Sequence, residues 1–138
     1  MITYLDTSVL LRVVLREKGA LDDLRSVRPL LSSELLAVEP YRVIDRYRLD
    51  GTLSTEEAAS RRETVSEWLE AVDLVLLQRP ILARASEPFP TPLGTLDALH
   101  LATALVWRDR HGRDLVIASH DRQLADAARA FSFAVRGA

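Results

Sequence analysis

Short strand-like segments, several of them continuously apolar, alternate along the chain with segments of helical periodicity. The strand-like segments are residues 2–5, 30–33, 73–77 and 115–118, and a last strand is expected at 132–135. Strands that are apolar without alternation are typical of a parallel sheet covered on both faces, because helical crossovers then bury each side. The sequence therefore predicts the α/β class, in the form of a three-layer α/β/α sandwich with a central, mostly parallel sheet.

Residues with helical spacing fill the connections between these strands. Helices are predicted after the first strand, at 20–27, 34–49 and 55–72, after Pro80, at 96–108 and at 122–130. Pro40 is expected to kink or divide the helix at 34–49. Ser54 and Glu57 have the spacing of a capping box, so a helix begins there. Helices on both sides of the turn at Asp50 and Gly51 predict a helical hairpin.

Length and composition set limits on the kind of protein. The 138 residues predict a single domain over 1–138. The absence of cysteine excludes disulfides, zinc–thiolate sites and cysteine nucleophiles. No apolar stretch approaches the roughly 18 residues of a membrane span, and the N-terminus lacks the pattern of a signal peptide. We therefore expect a cytoplasmic protein with no membrane partner.

Carboxylates follow several of the predicted strands. Asp6 follows the first strand, Glu34 the second and Asp121 the strand at 115–118, while Asp97 begins a long apolar helix. Any one of them is explained by the preference of acidic residues for helix starts. Together, at one edge of a parallel sheet, they repel each other unless a cation lies between them. Oxygen ligands of this kind suit Mg²⁺ or Mn²⁺.

Other catalytic patterns are missing from the sequence. It contains no phosphate-binding GxxxxGK[ST] loop and no HExxH zinc motif, and Lys18 is its only lysine. A net charge of -2 excludes a globally basic nucleic-acid binder, but bound metal ions can supply the positive charge that a polyanion needs. Metal-assisted hydrolysis is the chemistry that remains.

Four segments carry a resemblance to a known family. They are YLDTSVL at 4–10, SSEL at 32–35, LDALHLATA at 96–104 and SHDRQL at 119–124. In this order they resemble the PIN domain ribonucleases, and among those the VapC-type toxins of toxin–antitoxin pairs. The third segment is rather specific to this family, and the four segments together are a strong indication of it.

The resemblance implies a role for individual residues. It implies an acidic quartet that is catalytic and binds metal, with Ser119, Thr7 and His100 in support; the quartet is Asp6, Glu34, Asp97 and Asp121. Arg12 and Arg42 are candidates for RNA contacts, although a surface or salt-bridge role also fits them. Glu39 is the alternative second acid, and Glu34 is preferred because it directly follows its strand.

The resemblance also implies a function and partners. Family members cleave single-stranded or looped RNA, often tRNA or ribosomal RNA, with Mg²⁺ or Mn²⁺. VapC-type members commonly form homodimers and are neutralised by a VapB-type antitoxin. Two alternatives stay open: a PIN nuclease that processes RNA outside a toxin–antitoxin pair, and an inactive RNA-binding or scaffold module.

Overall fold

The centre of the molecule is a sheet of five parallel strands. The computed structural model describes residues 1–138. Its strands are β1 (Ile2–Leu5), β2 (Leu30–Ser33), β3 (Val72–Val75), β4 (Leu115–Ala118) and β5 (Ala134–Arg136). Their order in the sheet is β3-β2-β1-β4-β5, and each neighbouring pair is parallel. The predicted parallel sheet is thus confirmed.

Helices cover both faces of this sheet. They are α1 (Thr7–Val14), α2 (Glu39–Leu49), α3 (Thr55–Glu70), α4 (Arg79–Ala85), α5 (Thr95–His111) and α6 (Arg122–Ala130). Residues of α1, α2 and α3 pack in one core with Leu5 and Leu30. Residues of α5 and α6 pack in a second core with Tyr4 and Leu31. Because successive strand residues point to opposite faces, the two cores confirm the three-layer α/β/α architecture.

Several element boundaries differ from the sequence prediction. The helix expected at 34–49 is divided into a short 3₁₀ helix (Glu34–Ala37) and α2, in whose first turn Pro40 lies. Proline is tolerated there because that turn needs no backbone donor. The helix expected at 20–27 is reduced to one 3₁₀ turn at Leu24–Ser26. The helical hairpin is present, since α2 and α3 pack together on either side of the turn at Gly51.

The chain reverses its direction of winding next to β1. From β1 it proceeds outward to β2 and β3, and it then returns to the other side of β1 to form β4 and β5. In an open parallel sheet such a reversal marks the usual ligand site, beyond the carboxyl ends of the strands, and this edge beside β1 and β4 is called the crevice below. The backbone amide of Asp6 donates to the Ala118 carbonyl at 2.9 Å, so the two strands end side by side. None of the helices is long and apolar enough to cross a membrane.

Candidate active site

Asp6 lies at the centre of the crevice. It follows β1 and is only 3% exposed, yet its side chain makes no capping bond to α1. Instead its Oδ2 accepts hydrogen bonds from Ser8 Oγ at 2.5 Å and from Ser119 Oγ at 3.0 Å. A carboxylate buried beside other acids needs such donors. Asp6 is therefore held by two hydroxyls rather than used as a helix cap.

The loop after β4 brings a second carboxylate to the same crevice. Ser119 Oγ accepts from the backbone amide of Asp121 at 3.0 Å while donating to Asp6. Asp121 Oδ1 accepts from the Leu124 amide at 2.8 Å and so caps α6. The amide of His120 donates to Ser8 Oγ at 3.0 Å and ties the loop to the start of α1. The prediction that Ser119 lies beside the acids agrees with these contacts.

Asp97 reaches the crevice from the first turn of α5. Its carboxylate accepts no hydrogen bond from the protein. Burial, with the negative charges of Asp6 and Asp121, raises the pKa of Asp97 to about 6. Like charges have this effect only at close range. Asp6, Asp97 and Asp121 therefore form one electrostatic group with too little positive charge.

A buried histidine brings a fourth carboxylate into this group. His100 Nε2 lies 2.6 Å from Glu39 Oε1 and 3.8 Å from Asp6 Oδ1. Thr7 Oγ1 donates to the same Glu39 oxygen at 2.8 Å. Burial of the His100 ring opposes protonation, but the hydrogen bond to Glu39 and the charge of Asp6 outweigh it and raise the pKa of His100. Glu39 also helps to raise the pKa of Asp97.

Glu34 is not brought into the group. Its Oε2 accepts from the backbone amide of Leu77 at 2.7 Å, which links the end of β2 to the segment after β3. No hydrogen bond or ion pair joins Glu34 to Asp6, Asp97 or Asp121. The sequence preferred Glu34 because it directly follows a strand, but the first turn of α2 carries Glu39 to the crevice instead. We therefore replace Glu34 by Glu39 in the acidic cluster, defined here as Asp6, Glu39, Asp97 and Asp121.

The other predicted residues lie at varying positions. Thr7 and His100 touch the acidic cluster directly. Arg42 is 70% exposed on α2 and pairs with Asp45 at 3.5 Å, the surface role that the sequence left open. The Arg12 side chain lies beside Gly19 and has no hydrogen bond to the cluster. RNA contacts by Arg12 and Arg42 stay predictions.

The donor set of the cluster suits a hard divalent cation. Every member offers an oxygen that accepts no hydrogen bond from the protein: Asp6 Oδ1, Glu39 Oε2, Asp121 Oδ2 and both oxygens of Asp97. No three acidic or histidine side chains converge as a ready-made cage. Mg²⁺ in particular is commonly held by only one or two carboxylates, with water and phosphate as its other ligands. The residues present thus fit a partly hydrated metal ion better than a closed protein cage.

Comparison with known proteins identifies the family of this chain. The family model for the PIN domain matches residues 3–130. The chain belongs to the PIN domain family. This match spans β1 through α6, including every member of the acidic cluster, and it confirms the resemblance seen in the four sequence segments.

Individual relatives show to which type of PIN domain this chain belongs. It is 35% identical over 136 residues to "Ribonuclease VapC46" of Mycobacterium tuberculosis, covering 96% of this chain and 94% of that protein. It is therefore of the VapC type. It also superposes on a chain from the structure of VapBC-1 from nontypeable Haemophilus influenzae with a TM-score of 0.55 and 14% identity, over 99% and 97% of the two chains. At that identity the likeness concerns the fold.

Proposed function

We propose that this VapC-type PIN domain is a metal-dependent endoribonuclease that hydrolyses phosphodiester bonds of RNA at the acidic cluster. The observation that carries the proposal is the cluster itself, where carboxylates with too little compensating charge meet at the switch point of the sheet. Its support is the similarity of nearly the whole chain to a protein named as a ribonuclease. VapC nucleases of the PIN family generally depend on divalent metal ions.

Mg²⁺ or Mn²⁺ is the proposed cofactor, held by Asp6, Glu39, Asp97 and Asp121. When bound, such an ion lowers the pKa of water and neutralises charge on a phosphate. Ser8 and Ser119 orient Asp6 through its Oδ2, so that Oδ1 stays available to a ligand. Asp121 is fixed similarly, since its Oδ1 caps α6 and its Oδ2 is free. Asp97 must lose its proton to act as a ligand.

The RNA strand is expected to lie across the carboxyl ends of β1 and β4. Attack of water on a phosphate in the crevice would leave a 5′-phosphate and a 3′-hydroxyl. Arg12 and Arg42 are proposed contacts for flanking phosphates, because arginine suits bidentate phosphate recognition. The proposed substrate is single-stranded or looped RNA, as in tRNA or ribosomal RNA.

The proposed partners follow from the same relatives. We propose that a VapB-type antitoxin neutralises the nuclease and that the chain forms a homodimer. The proposal is supported by the similarity to a VapC ribonuclease and by the fold shared with a chain from a VapBC structure. Co-expression with the product of the neighbouring reading frame tests this proposal: growth arrest by the chain alone, relieved by co-expression, is expected. Unimpaired growth with active enzyme would instead favour an RNA-processing nuclease outside a toxin–antitoxin pair.

Cleavage of RNA by alanine variants tests the proposed chemistry. Asp6→Ala and Asp97→Ala are each expected to abolish Mg²⁺-dependent cleavage, because each removes a member of the cluster. Asp109→Ala is the matched control, since Asp109 is an exposed aspartate on the same helix as Asp97. Full activity in either cluster variant, or undiminished cleavage by the wild type in chelator, would refute the mechanism.

A further inference from the structure

His100 is buried beneath the acidic cluster with both ring nitrogens paired. The side chain is 1% exposed and lies on α5, one turn after Asp97. Its Nδ1 lies 2.8 Å from the Tyr4 hydroxyl, and its Nε2 lies 2.6 Å from Glu39 Oε1. Tyr4 comes from β1 and Glu39 from α2, so the histidine joins three elements that are distant in the chain. A histidine with two such partners has a fixed ring orientation.

The hydrogen-bonding groups of the two partners decide how the ring is held. The Glu39 carboxylate is an acceptor, so Nε2 carries the proton that it receives. Nδ1 pairs with the Tyr4 hydroxyl, which can donate to a neutral ring or accept from a protonated one, so the contact holds in both states. Tyr4 thereby holds the ring with Nε2 directed at Glu39.

The two oxygens of Glu39 have different surroundings. Oε1 accepts from both His100 Nε2 and Thr7 Oγ1, whereas Oε2 accepts from no protein group. The side chain is 19% exposed, so the carboxylate is fixed at Oε1 and only partly covered, and Oε2 has no partner in the protein. A glutamate side chain has several rotatable bonds. Without the interior donors it would therefore lose substantial conformational entropy on ligand binding.

We infer that Tyr4 and His100 are positioning residues that hold Glu39 Oε1 in the protein so that Oε2 is presented to a divalent cation. The inference rests on the proposed function and deepens it, because it names the residues that hold Glu39, the second acid of the cluster, in place. Tyr4 makes no hydrogen bond to any member of the acidic cluster, and its hydroxyl pairs with His100. Its contribution to metal binding therefore passes through His100, whose shortest contact with the cluster is to Glu39.

Mn²⁺ binding without RNA tests the inference. The readout is the dissociation constant, measured from the electron paramagnetic resonance signal of free Mn²⁺. Tyr4→Phe removes one hydroxyl and is expected to weaken Mn²⁺ binding about 10-fold, the effect usual for residues that orient a metal ligand. Tyr41→Phe is the matched control. Tyr41 lies on the same helix as Glu39, but its hydroxyl bonds Ser66 at 2.6 Å, outside the cluster. It should bind Mn²⁺ as the wild type does.

Two further variants separate positioning from a general loss of structure. His100→Gln keeps a donor near the place of Nε2 and should retain more Mn²⁺ affinity than His100→Leu. In a Glu39→Ala background, Tyr4→Phe should have no further effect, because the carboxylate that it positions is gone. Equal affinity of Tyr4→Phe and wild type, equal weakening by Tyr41→Phe, or independent effects of Tyr4→Phe and Glu39→Ala would overturn the inference. If the wild type itself binds no Mn²⁺, the proposed function fails with it.

Discussion

The carboxylate of Asp97 is subject to opposing requirements. Metal binding needs it ionised, whereas its burial and the neighbouring Asp6 and Asp121 favour the protonated form and raise its pKa to about 6. The folded protein therefore binds a proton here more tightly than the unfolded chain, whose aspartate has the ordinary value of 3.8. The free energy of unfolding falls as the pH rises from about 4 to 6, and above that range the full penalty remains.

Asp97→Asn is expected to stabilise the metal-free protein while abolishing cleavage. Removing the charge should raise the free energy of unfolding at pH 7 by about 1 kcal/mol, after allowance for solvent screening. The gain should disappear near pH 4, where the wild-type carboxyl is itself protonated. Urea unfolding in chelator at both pH values measures the effect. Asp109→Asn serves as the control, and a loss of stability at pH 7 in Asp97→Asn would contradict the prediction.

Glu34 and Glu39 are expected to respond oppositely to substitution. Glu39→Gln should reduce RNA cleavage and Mn²⁺ affinity at least 10-fold, because it removes a negative ligand from the cluster. Glu34→Gln should keep near wild-type activity, since an amide oxygen can still accept from Leu77. Glu34→Ala should cost about 1 kcal/mol of stability through the lost acceptor. Loss of cleavage in Glu34→Gln with full activity in Glu39→Gln would restore Glu34 as the second acid.

Helix starts in this chain have different uses. Ser54 caps α3 in a reciprocal box with Glu57, with bonds of 3.0 and 3.1 Å, far from any member of the acidic cluster in sequence. Asp121 caps α6 with one oxygen and keeps the other for the crevice. Asp6 occupies the N-cap position of α1 but makes no cap bond. Residues that favour helix starts thus have three different roles here. Ser54 only caps its helix, Asp121 both caps a helix and belongs to the acidic cluster, and Asp6 belongs to the cluster without capping.

Ser54→Ala should destabilise the fold without affecting the chemistry. Loss of the cap is expected to lower the free energy of unfolding by about 1 kcal/mol. RNA cleavage at a temperature well below unfolding should be unchanged, because α3 supplies no residue to the cluster. Ser60→Ala, an exposed serine inside the same helix, is the control and should leave stability nearly unaltered. Equal destabilisation by the two variants would show that the capping box contributes nothing.

The order of strands makes the cluster possible. β1 lies between β2 and β4, so Asp6 meets Ser119 although the two are 113 positions apart in the chain. The same crevice receives Asp97 from α5 and Glu39 from α2. Carboxylates collected in this way repel each other in the metal-free fold. The unfolded chain separates them, so a cation that binds the cluster should stabilise the folded state in particular.

Mn²⁺ should raise the melting temperature of the wild type in a concentration-dependent way. At a hundredfold excess over the dissociation constant, binding to the folded state alone contributes about 2.7 kcal/mol. Asp97→Asn should show little of this increase, while Asp109→Asn should follow the wild type. Differential scanning calorimetry over a range of Mn²⁺ concentrations measures the shift. An equal increase in Asp97→Asn would indicate that the ion binds elsewhere.

Local patterns predicted most of the elements but not every boundary. The strands at 2–5, 30–33 and 115–118 are found as expected, since short segments of this kind between helical patterns are typical of parallel strands in a covered sheet. The break before α2 was anticipated only as an effect of Pro40, which lies in the first turn after it. The choice of Glu34 followed a local rule about strand ends. That rule misses Glu39 because the relevant contact comes from His100, 61 positions away.

Periodicity, caps and the acids at strand ends are properties of neighbouring residues. The sequence alone could therefore predict an α/β sandwich, its parallel strands and the placement of Asp6, Asp97 and Asp121 at one edge of the sheet. The order of the strands, the pairing of Asp6 with Ser119 and the Tyr4–His100–Glu39 contacts join residues far apart in the chain. These features emerge only when both cores pack against the sheet. Side-chain direction then decides which carboxylates share the crevice, because a hydrogen bond or a close charge depends on distances of a few ångströms that no local pattern encodes.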